Sequence, residues 1–287
     1  MTPSNNLSVL PWYNSIEQQN ARKWWAYGRV FPLVTQAMFM LPFQIIRPHR
    51  ETETITSFNV YSKDGALVGD FTQEINEAGI AFKSFEAFGY DVIVFAGQFP
   101  VFSSFPEGQY YASLSDGTQT WYSEVFNVVS DVSCFLKIEW WDDDDFDMDA
   151  GTIVYTEPAF KNLLYLDADI ARPEYPFEEE GETRDGYFFP TKQISEKRYH
   201  FGFLAPEFLL DVMRLIRMAD HILITKNGQT YRPDTFLITP EWEGDGDIAS
   251  VQAEFDTNTI AKKIGLGYVR PTAGDFNHDF NADFNNE

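Results

Sequence analysis

Short runs of β-favouring residues, separated by turn residues, dominate the chain from residue 40 to about residue 138. Several runs alternate apolar with polar side chains, as strands with one buried face do. The runs are residues 41–46, 55–61, 66–71, 80–85, 92–96, 109–114 and 121–129. Glycine tolerates the positive φ of tight hairpin turns, so Lys63-Asp64-Gly65 and Ser115-Asp116-Gly117 are predicted turns. This pattern predicts an immunoglobulin-like sandwich or a small barrel.

The second half adds a clear helix to further strands. Residues 206–219 place apolar side chains on one helical stripe, with Pro206 suited to the first helical position. Strands are predicted at 135–141, 152–156, 163–166, 221–225, 235–239 and 250–255. The polar stretch 178–186 is interpreted as an exposed loop. We therefore predict a mainly β protein whose second half is α+β, with one helix packed on an antiparallel sheet.

Four regions follow from these patterns: an N-terminal arm (1–39), a β-sandwich domain (40–138), an α+β domain (139–272) and an acidic tail (273–287). A short helix is predicted at 15–26, with Ser15 as its N-cap. Two regions carry candidate partner-binding residues. They are Trp24 and Trp25 in the arm, and Phe276, Phe280 and Phe284 in the tail, where Asp-Phe-Asn occurs three times. Rings this dense must pack on the chain itself or on a neighbouring subunit.

Charge and cysteine content narrow the classes of partner. The net charge of −23 disfavours phosphate backbones and anionic membrane surfaces, so we expect neither nucleic acid nor membrane insertion as a partner. The most apolar early stretch, 30–46, is interrupted by Pro32 and Pro42. The lone Cys134 is interpreted as a buried small residue, and a single cysteine forms no internal disulfide. These features favour synthesis in the cytoplasm.

An acidic run from Asp142 to Asp149 is the one candidate metal site. Asp145, Asp147 and Asp149 alternate as the first ligands of a calcium loop do. The match is imperfect, because Ala150 separates Asp149 from the glycine that should follow directly. The alternative interpretation is a solvated, self-repelling turn. We therefore expect no cofactor, with Ca²⁺ as the only candidate ligand.

The chain carries no catalytic signature. Its four histidines lie outside metal-ligand spacing, and there is no HExxH, no GxSxG, no P-loop and no dinucleotide-binding glycine cluster. We therefore expect no enzyme; the alternative is a hydrolase with a carboxylate pair that is close in space but not in sequence. A binding module would use exposed aromatic residues, and the sequence offers two groups of candidates. The candidates are Trp121, Trp140 and Trp141 for a sugar platform, and Tyr187, Phe188 and Trp242 at loop tips. For the first three, burial in the core is the commoner outcome.

Several short stretches give the chain a family resemblance. They are residues 11–13, 41–45, 110–122, 165–167, 196–199, 206–215 and 249–255. Over residues 11–265 the chain resembles poorly characterised structural proteins from the tail region of tailed bacteriophages and related prophages. The resemblance implies a virion protein, made in the host cytoplasm, that assembles as a homo-oligomer and with other virion proteins. It supplies no catalytic residues.

The leading hypothesis is therefore a structural component of a tailed-phage virion, as a tail, tail-tip or neck subunit. Repeated arm contacts in a symmetric ring would strengthen one another through effective concentration. The alternative is a receptor- or carbohydrate-binding module, assisted by calcium at Asp145, Asp147 and Asp149.

Overall fold

The computed structural model describes residues 8–22, 33–35, 41–51, 54–78, 81–85, 90–95, 105–142, 146–147, 155–156, 161–243 and 248–264. Within these residues the strands are β1 (Trp12–Tyr13), β2 (Leu33–Thr35), β3 (Phe43–Pro48), β4 (Ser57–Ser62), β5 (Leu67–Asp70), β6 (Ala81–Phe85), β7 (Tyr90–Phe95), β8 (Gly108–Ser115), β9 (Thr120–Ser123), β10 (Phe126–Val129), β11 (Leu136–Trp141), β12 (Phe146–Asp147), β13 (Tyr155–Thr156), β14 (Asn162–Leu166), β15 (Phe177–Arg184), β16 (Tyr187–Pro206), β17 (His221–Lys226), β18 (Gln229–Tyr231), β19 (Pro233–Trp242) and β20 (Ile248–Ile264). The helices in the same residues are α1 (Ile16–Arg22), α2 (Thr72–Ala78) and α3 (Glu207–Ile216).

Strand β8 lies at the centre of the sheet formed by the first half of the chain. One edge of β8 pairs with β4, which in turn pairs with β5. The other edge pairs with β10 and then with β9, which lie end to end. The strand predicted at 121–129 is therefore two strands. Between them lies buried Glu124, which accepts a hydrogen bond of 2.8 Å from the hydroxyl of Tyr13.

The turns predicted in this sheet are confirmed. Gly65 lies between β4 and β5 with φ 87°, and Gly117 lies between β8 and β9 with φ 83°. Residues with a Cβ rarely adopt this left-handed conformation, which is why glycine occupies both positions. Strands β3, β7 and β6 form a separate antiparallel sheet of three strands.

The described part of the N-terminal region packs on the chain itself. Strand β1 pairs with β9, and Trp12 lies in the core with its ring centroid 4.6 Å from that of Phe43. Ser15 caps α1, because its Oγ accepts a hydrogen bond from the backbone N–H of Gln18 at 3.3 Å. The predicted N-cap is confirmed, whereas residues 23–26 of the predicted helix lie outside the described residues.

Two antiparallel sheets make up most of the described second half. Strands β14, β11, β17 and β18 form one, and strands β15, β16, β20 and β19 form the other, in these orders. Helix α3 packs against the second sheet and buries Phe208, Leu209, Leu210, Val212, Met213 and Ile216. The predicted helix is confirmed, but it is shorter than the predicted range 206–219, because it begins at Glu207 and ends at Ile216. Pro206 still belongs to β16 and caps the helix, because its backbone is extended at ψ 162°.

The described chain is mostly strand with few helices, and its sheets are antiparallel apart from the parallel pairing of β10 with β2. The prediction of a mainly β fold with an α+β second half is confirmed. One cluster of buried apolar side chains reaches from Val9 to Phe255 and forms the core. The choice between a sandwich and a small barrel, and the region boundaries at 39, 138 and 272, stay predictions.

Candidate protein interaction surface

A long hairpin extends from the second sheet. The 20-residue strand β16 has two halves, because its pairing with β20 is interrupted between Ser195 and Lys197. Ser195 pairs with Ala261 and Lys197 pairs with Thr257, so one residue of β16 faces three residues of β20. Strand β19 pairs with β20 only up to Thr257. The outer half of β16 pairs with β15 along one edge, and its residues 192–195 still pair with β20 along the other edge.

We call residues 177–195 the hairpin: β15, the turn and the outer half of β16. The turn consists of Asp185 and Gly186 with φ of 50° and 83°, the backbone signature of a two-residue hairpin turn. Every residue of β15 is exposed, as are residues 187–191 of β16. The stretch predicted as an exposed loop is thus exposed but is a strand. The Asp-Gly dipeptide was the sequence signal that could have indicated the turn.

Aromatic side chains make the hairpin unusual among exposed surfaces. The large exposed rings are Phe177 at 59%, Tyr187 at 72%, Phe188 at 49% and Phe189 at 52% of their full accessible areas. Isolated exposed apolar residues are ordinary, but this hairpin exposes two rings on each of its faces, and exposed groups of apolar residues mark interaction sites. The predicted exposure of Tyr187, Phe188 and Trp242 is confirmed, whereas the sequence analysis did not select Phe177 or Phe189.

The register divides the hairpin residues between two faces, since cross-strand partners share a face. The acidic face carries Glu178, Glu180, Glu182 and Arg184 on β15, with Tyr187 and Phe189 on the neighbouring strand. The other face, called the apolar face for its rings, carries Phe177, Glu179 and Thr183 on β15 and Phe188 on β16.

Gly181 allows the Phe188 ring to lie over the apolar face. A Cβ at Gly181 would lie 2.6 Å from Cζ of Phe188 and 2.9 Å from Cα of Pro190. Such contacts are too short, so a larger residue here would displace the ring or the strand. The glycine is therefore required by the close approach of β16, and the ring takes the space that a side chain would fill.

Exposed ion pairs accompany the rings. Arg184 Nη2 lies 2.5 Å from Glu182 Oε2, and Lys192 Nζ lies 3.1 Å from Glu180 Oε1. Both pairs are largely exposed, and pairs of this kind contribute little to stability. The hairpin thus has neither a core of its own nor strong polar contacts to hold it.

The base of the hairpin is fixed by a charged contact across the sheet. Arg198 Nε and Nη2 donate to the two carboxylate oxygens of Asp256 at 2.8 and 3.1 Å, and Thr235 donates to the same carboxylate. The Arg198 guanidinium, aided by the Thr235 hydroxyl, holds the pKa of Asp256 below its ordinary value although burial opposes this. The contact lies directly beside the interruption of the β16–β20 pairing.

A second charged cluster lies inside the first half of the molecule. The fully buried Arg47 guanidinium on β3 contacts Asp116 Oδ2 at 2.7 Å, and its Nε lies 3.4 Å from Asp91 on β7. Burial raises the pKa of Asp116, but the backbone N–H groups of Gln119 and Thr118 and the Arg47 guanidinium outweigh it and lower this pKa. The cluster joins the β3–β7 sheet to the β8–β9 turn, which is a structural role.

The residues predicted as sites from the sequence lie mainly outside the described part of the chain. Trp24, Trp25, Asp145, Asp149, Phe276, Phe280 and Phe284 all lie there. Asp147 belongs to β12, which pairs with β13, and only its backbone is described. Within the described residues, no group of three or more His, Cys, Asp or Glu side chains could hold a metal ion. Calcium binding therefore stays a prediction.

One sequence interpretation is corrected, and the tryptophan candidates follow the commoner outcome of core burial. Cys134 is exposed rather than buried, because it lies in the turn before β11 and not inside that strand. Of the three candidate sugar platforms, Trp121 and Trp140 are buried in the core. The ring of Trp141 stacks on His221 with centroids 5.0 Å apart, and Lys161 Nζ lies 4.3 Å from its centroid. Neighbouring side chains thus already contact the Trp141 ring.

Comparison with known proteins adds little to this picture. No family model matches the chain, and no curated protein matches its sequence. A chain in the crystal structure of Dpr2 Ig1-Ig2 in complex with DIP-Theta Ig1-Ig3 is similar at 8% identity. The match covers 82% of this chain and 94% of that chain with a TM-score of 0.16. A TM-score this low carries no argument about fold or function.

The helices of the described residues are too short or too polar to cross a bilayer.

Proposed function

We propose that the protein is a structural subunit of a larger assembly, docking onto neighbouring proteins through the hairpin. The observation that carries this proposal is the exposure of Phe177, Tyr187, Phe188 and Phe189 on a hairpin without a core of its own. Aromatic residues are enriched at the centres of protein interfaces, where a few of them supply most of the binding energy. Docking of the hairpin onto a partner would bury these rings and fix the positions of β15 and the outer half of β16.

The particular assembly that we propose is a tailed-phage virion, with the protein as a tail, tail-tip or neck subunit. This step rests on the resemblance of residues 11–265 to phage tail-region proteins. In such a particle the protein is made in the host cytoplasm and assembles with itself and with other virion proteins. A hairpin that reaches beyond its own body suits a contact between subunits.

The virion proposal is tested by sedimentation. Particles are induced in the host that carries the gene, banded on a density gradient, and searched for peptides of this chain by mass spectrometry. We expect the chain in the particle band, at a constant ratio to the other virion proteins after a second gradient. A chain that stays with the soluble host proteins in both gradients would refute the proposal.

Self-assembly is tested separately by light scattering on the full-length protein and on a version that lacks residues 273–287. The proposal expects a full-length oligomer that loses subunits on truncation, because Phe276, Phe280 and Phe284 are then removed. Identical monomers in both samples would exclude self-assembly through the tail and leave other virion proteins as the partners.

A receptor- or carbohydrate-binding module is the second candidate, favoured by the exposure of Tyr187 and Trp242. Both side chains can stack on a sugar ring. Binding to a glycan array that disappears in Tyr187→Ser or Trp242→Ser, with unchanged folding, would support this function over the structural one.

A further inference from the structure

We infer that the free edge of β15 accepts an extended basic segment of a partner protein as an added strand. This inference rests on the proposed role of the hairpin in docking, and it names the chemistry of the partner. Strand addition supplies affinity through main-chain hydrogen bonds and specificity through alternate side chains.

The edge itself is the first observation. Strand β15 is eight residues long, and within the described part of the chain it pairs on one side only, with β16. All eight residues are exposed. The other side of such a strand presents a row of N–H and C=O groups ready to pair with another chain. Eight residues are long enough to hold a strand of ordinary length.

The pattern of side chains along this edge specifies what can pair with it. Glu178, Glu180 and Glu182 alternate on the acidic face, where an added strand would place every second side chain beside them. Lysine or arginine at those positions would form cross-strand charge pairs, sharing Glu180 with Lys192 and Glu182 with Arg184. On the other face the same strand would meet Glu179 between the Phe177 and Phe188 rings, and the two rings favour apolar side chains. The edge therefore fits a segment that alternates basic and apolar residues.

A second copy of β15 does not fit this edge. In the antiparallel register that pairs all eight residues of two copies, Glu179 of each copy faces Glu182 of the other, which gives two like-charge pairs. Like charges directly opposite one another destabilise a strand pair. Residues 177–195 contain five acidic and two basic residues, and the whole chain carries a net charge of −23. Charge complementarity thus selects a basic partner rather than the same strand of another subunit.

The test uses a synthetic peptide of alternating lysine and valine, seven residues long, and the matched peptide with glutamate in place of lysine. Amide hydrogen exchange of the full-length protein is followed residue by residue. We expect the lysine peptide to slow exchange at alternate amides of β15 by about tenfold or more, because added main-chain hydrogen bonds protect them. The glutamate peptide should leave β15 unchanged.

Two charge-matched variants distinguish strand addition at β15 from general attraction between a cationic peptide and an acidic protein. One carries Glu178→Lys, Glu180→Lys and Glu182→Lys on β15. The other carries Asp64→Lys, Glu74→Lys and Glu77→Lys on exposed positions of the first half. The β15 variant should weaken binding by about tenfold or more, and the control by no more than about twofold.

Equal weakening in the two variants, or binding without protection of β15, would overturn the inference. The glutamates would then only guard the edge against unwanted pairing. That outcome leaves the proposed function standing, provided that the chain still bands with the particles. Absence of the chain from the particles would instead remove the proposed function, whatever the peptide does.

Discussion

The two halves of β16 show how differently one strand can be used. In the inner half Tyr199, Phe201 and Phe203 alternate with polar or small residues and lie buried. In the outer half Tyr187, Phe188 and Phe189 are just as apolar, yet all are exposed. The difference does not come from composition. It comes from the layer beneath. Helix α3 packs on β16 and β19, and Tyr231 of β18 packs on Tyr199, whereas residues 187–191 stay exposed.

A sheet face is stable in water only when another layer covers its apolar side chains. The inner half of β16 has that layer within the chain, and the outer half needs one from elsewhere. The comparison thus separates residues that fold the protein from residues that we assign to docking. Matched substitutions in the two halves should therefore differ in their effect on stability, which should be large in the inner half and small in the outer half.

The largest expected effect is on the buried rings. Phe201→Ala removes a ring that packs on Phe203, Phe236 and Phe255, and should lower the free energy of unfolding by about 3 to 5 kcal/mol. Its counterpart Phe189→Ala should change it by less than about 0.5 kcal/mol, because the ring is already exposed. Urea denaturation measures both. Equal losses would mean that the hairpin is part of the core.

Loss of a buried arginine should likewise lower the free energy of unfolding more than loss of an exposed one. Arg47→Ala removes the buried cation between Asp116 and Asp91, although Arg50 still contacts Asp116 at 2.7 Å. The substitution should cost about 3 kcal/mol of unfolding free energy. Arg184→Ala on the hairpin removes an exposed pair, and should cost less than about 0.5 kcal/mol. Thermal and urea denaturation of both variants provide the check, and a costly Arg184→Ala would contradict the comparison.

The same contacts predict how stability depends on pH. The pKa of Asp116 and that of Asp256 are lower in the folded protein than the ordinary value of 3.8. Their contribution is therefore complete above pH 3.8, and is lost as pH falls through the lower folded values. Urea midpoints between pH 7 and pH 3 should fall at the acid end, and less steeply in Arg198→Met, which loses the partner of Asp256. An unchanged profile in that variant would refute this assignment.

A smaller, local effect is expected at Gly181. Gly181→Ala places a Cβ against the Phe188 ring and the β16 backbone, so it should loosen the hairpin without unfolding the body. Amide exchange should accelerate in β15 and in residues 187–195, while the melting temperature stays within about 2 °C of the wild-type value. Thr183→Ala, on the same face, is the control and should leave exchange unchanged. A large fall in melting temperature would show that the two halves unfold together.

The sequence predicted the strands best where apolar and polar residues alternate beside glycine turns. The runs in the first half correspond to β3 through β10, and Ser15 and α3 lie where they were expected. The run 121–129 was taken as one strand because all its residues favour strands. The break at Glu124 depends on a partner from β1, which local sequence does not encode.

The sequence analysis missed the strand β15 because its residues have low intrinsic strand propensities. Four glutamates and a glycine disfavour a strand by their intrinsic propensities, so 178–186 was interpreted as a loop. Pairing with β16 and the ring of Phe188 over Gly181 overcome those propensities, and neither is visible in the local sequence. The exposed rings of Tyr187 and Phe188 were proposed from the sequence. The acidic strand β15 and its free edge become visible only from the strand pairing in the structure.

The account is tested most directly by particle incorporation of the triple variant Tyr187→Ser, Phe188→Ser and Phe189→Ser, produced in a host whose own copy of the gene is deleted. The control replaces three other exposed apolar residues, Leu67, Val68 and Met218, with serine. We predict that both variants melt within about 2 °C of the wild type, and that only the hairpin variant is lost from the particle band. Normal incorporation of the hairpin variant would contradict the docking role assigned to these three rings.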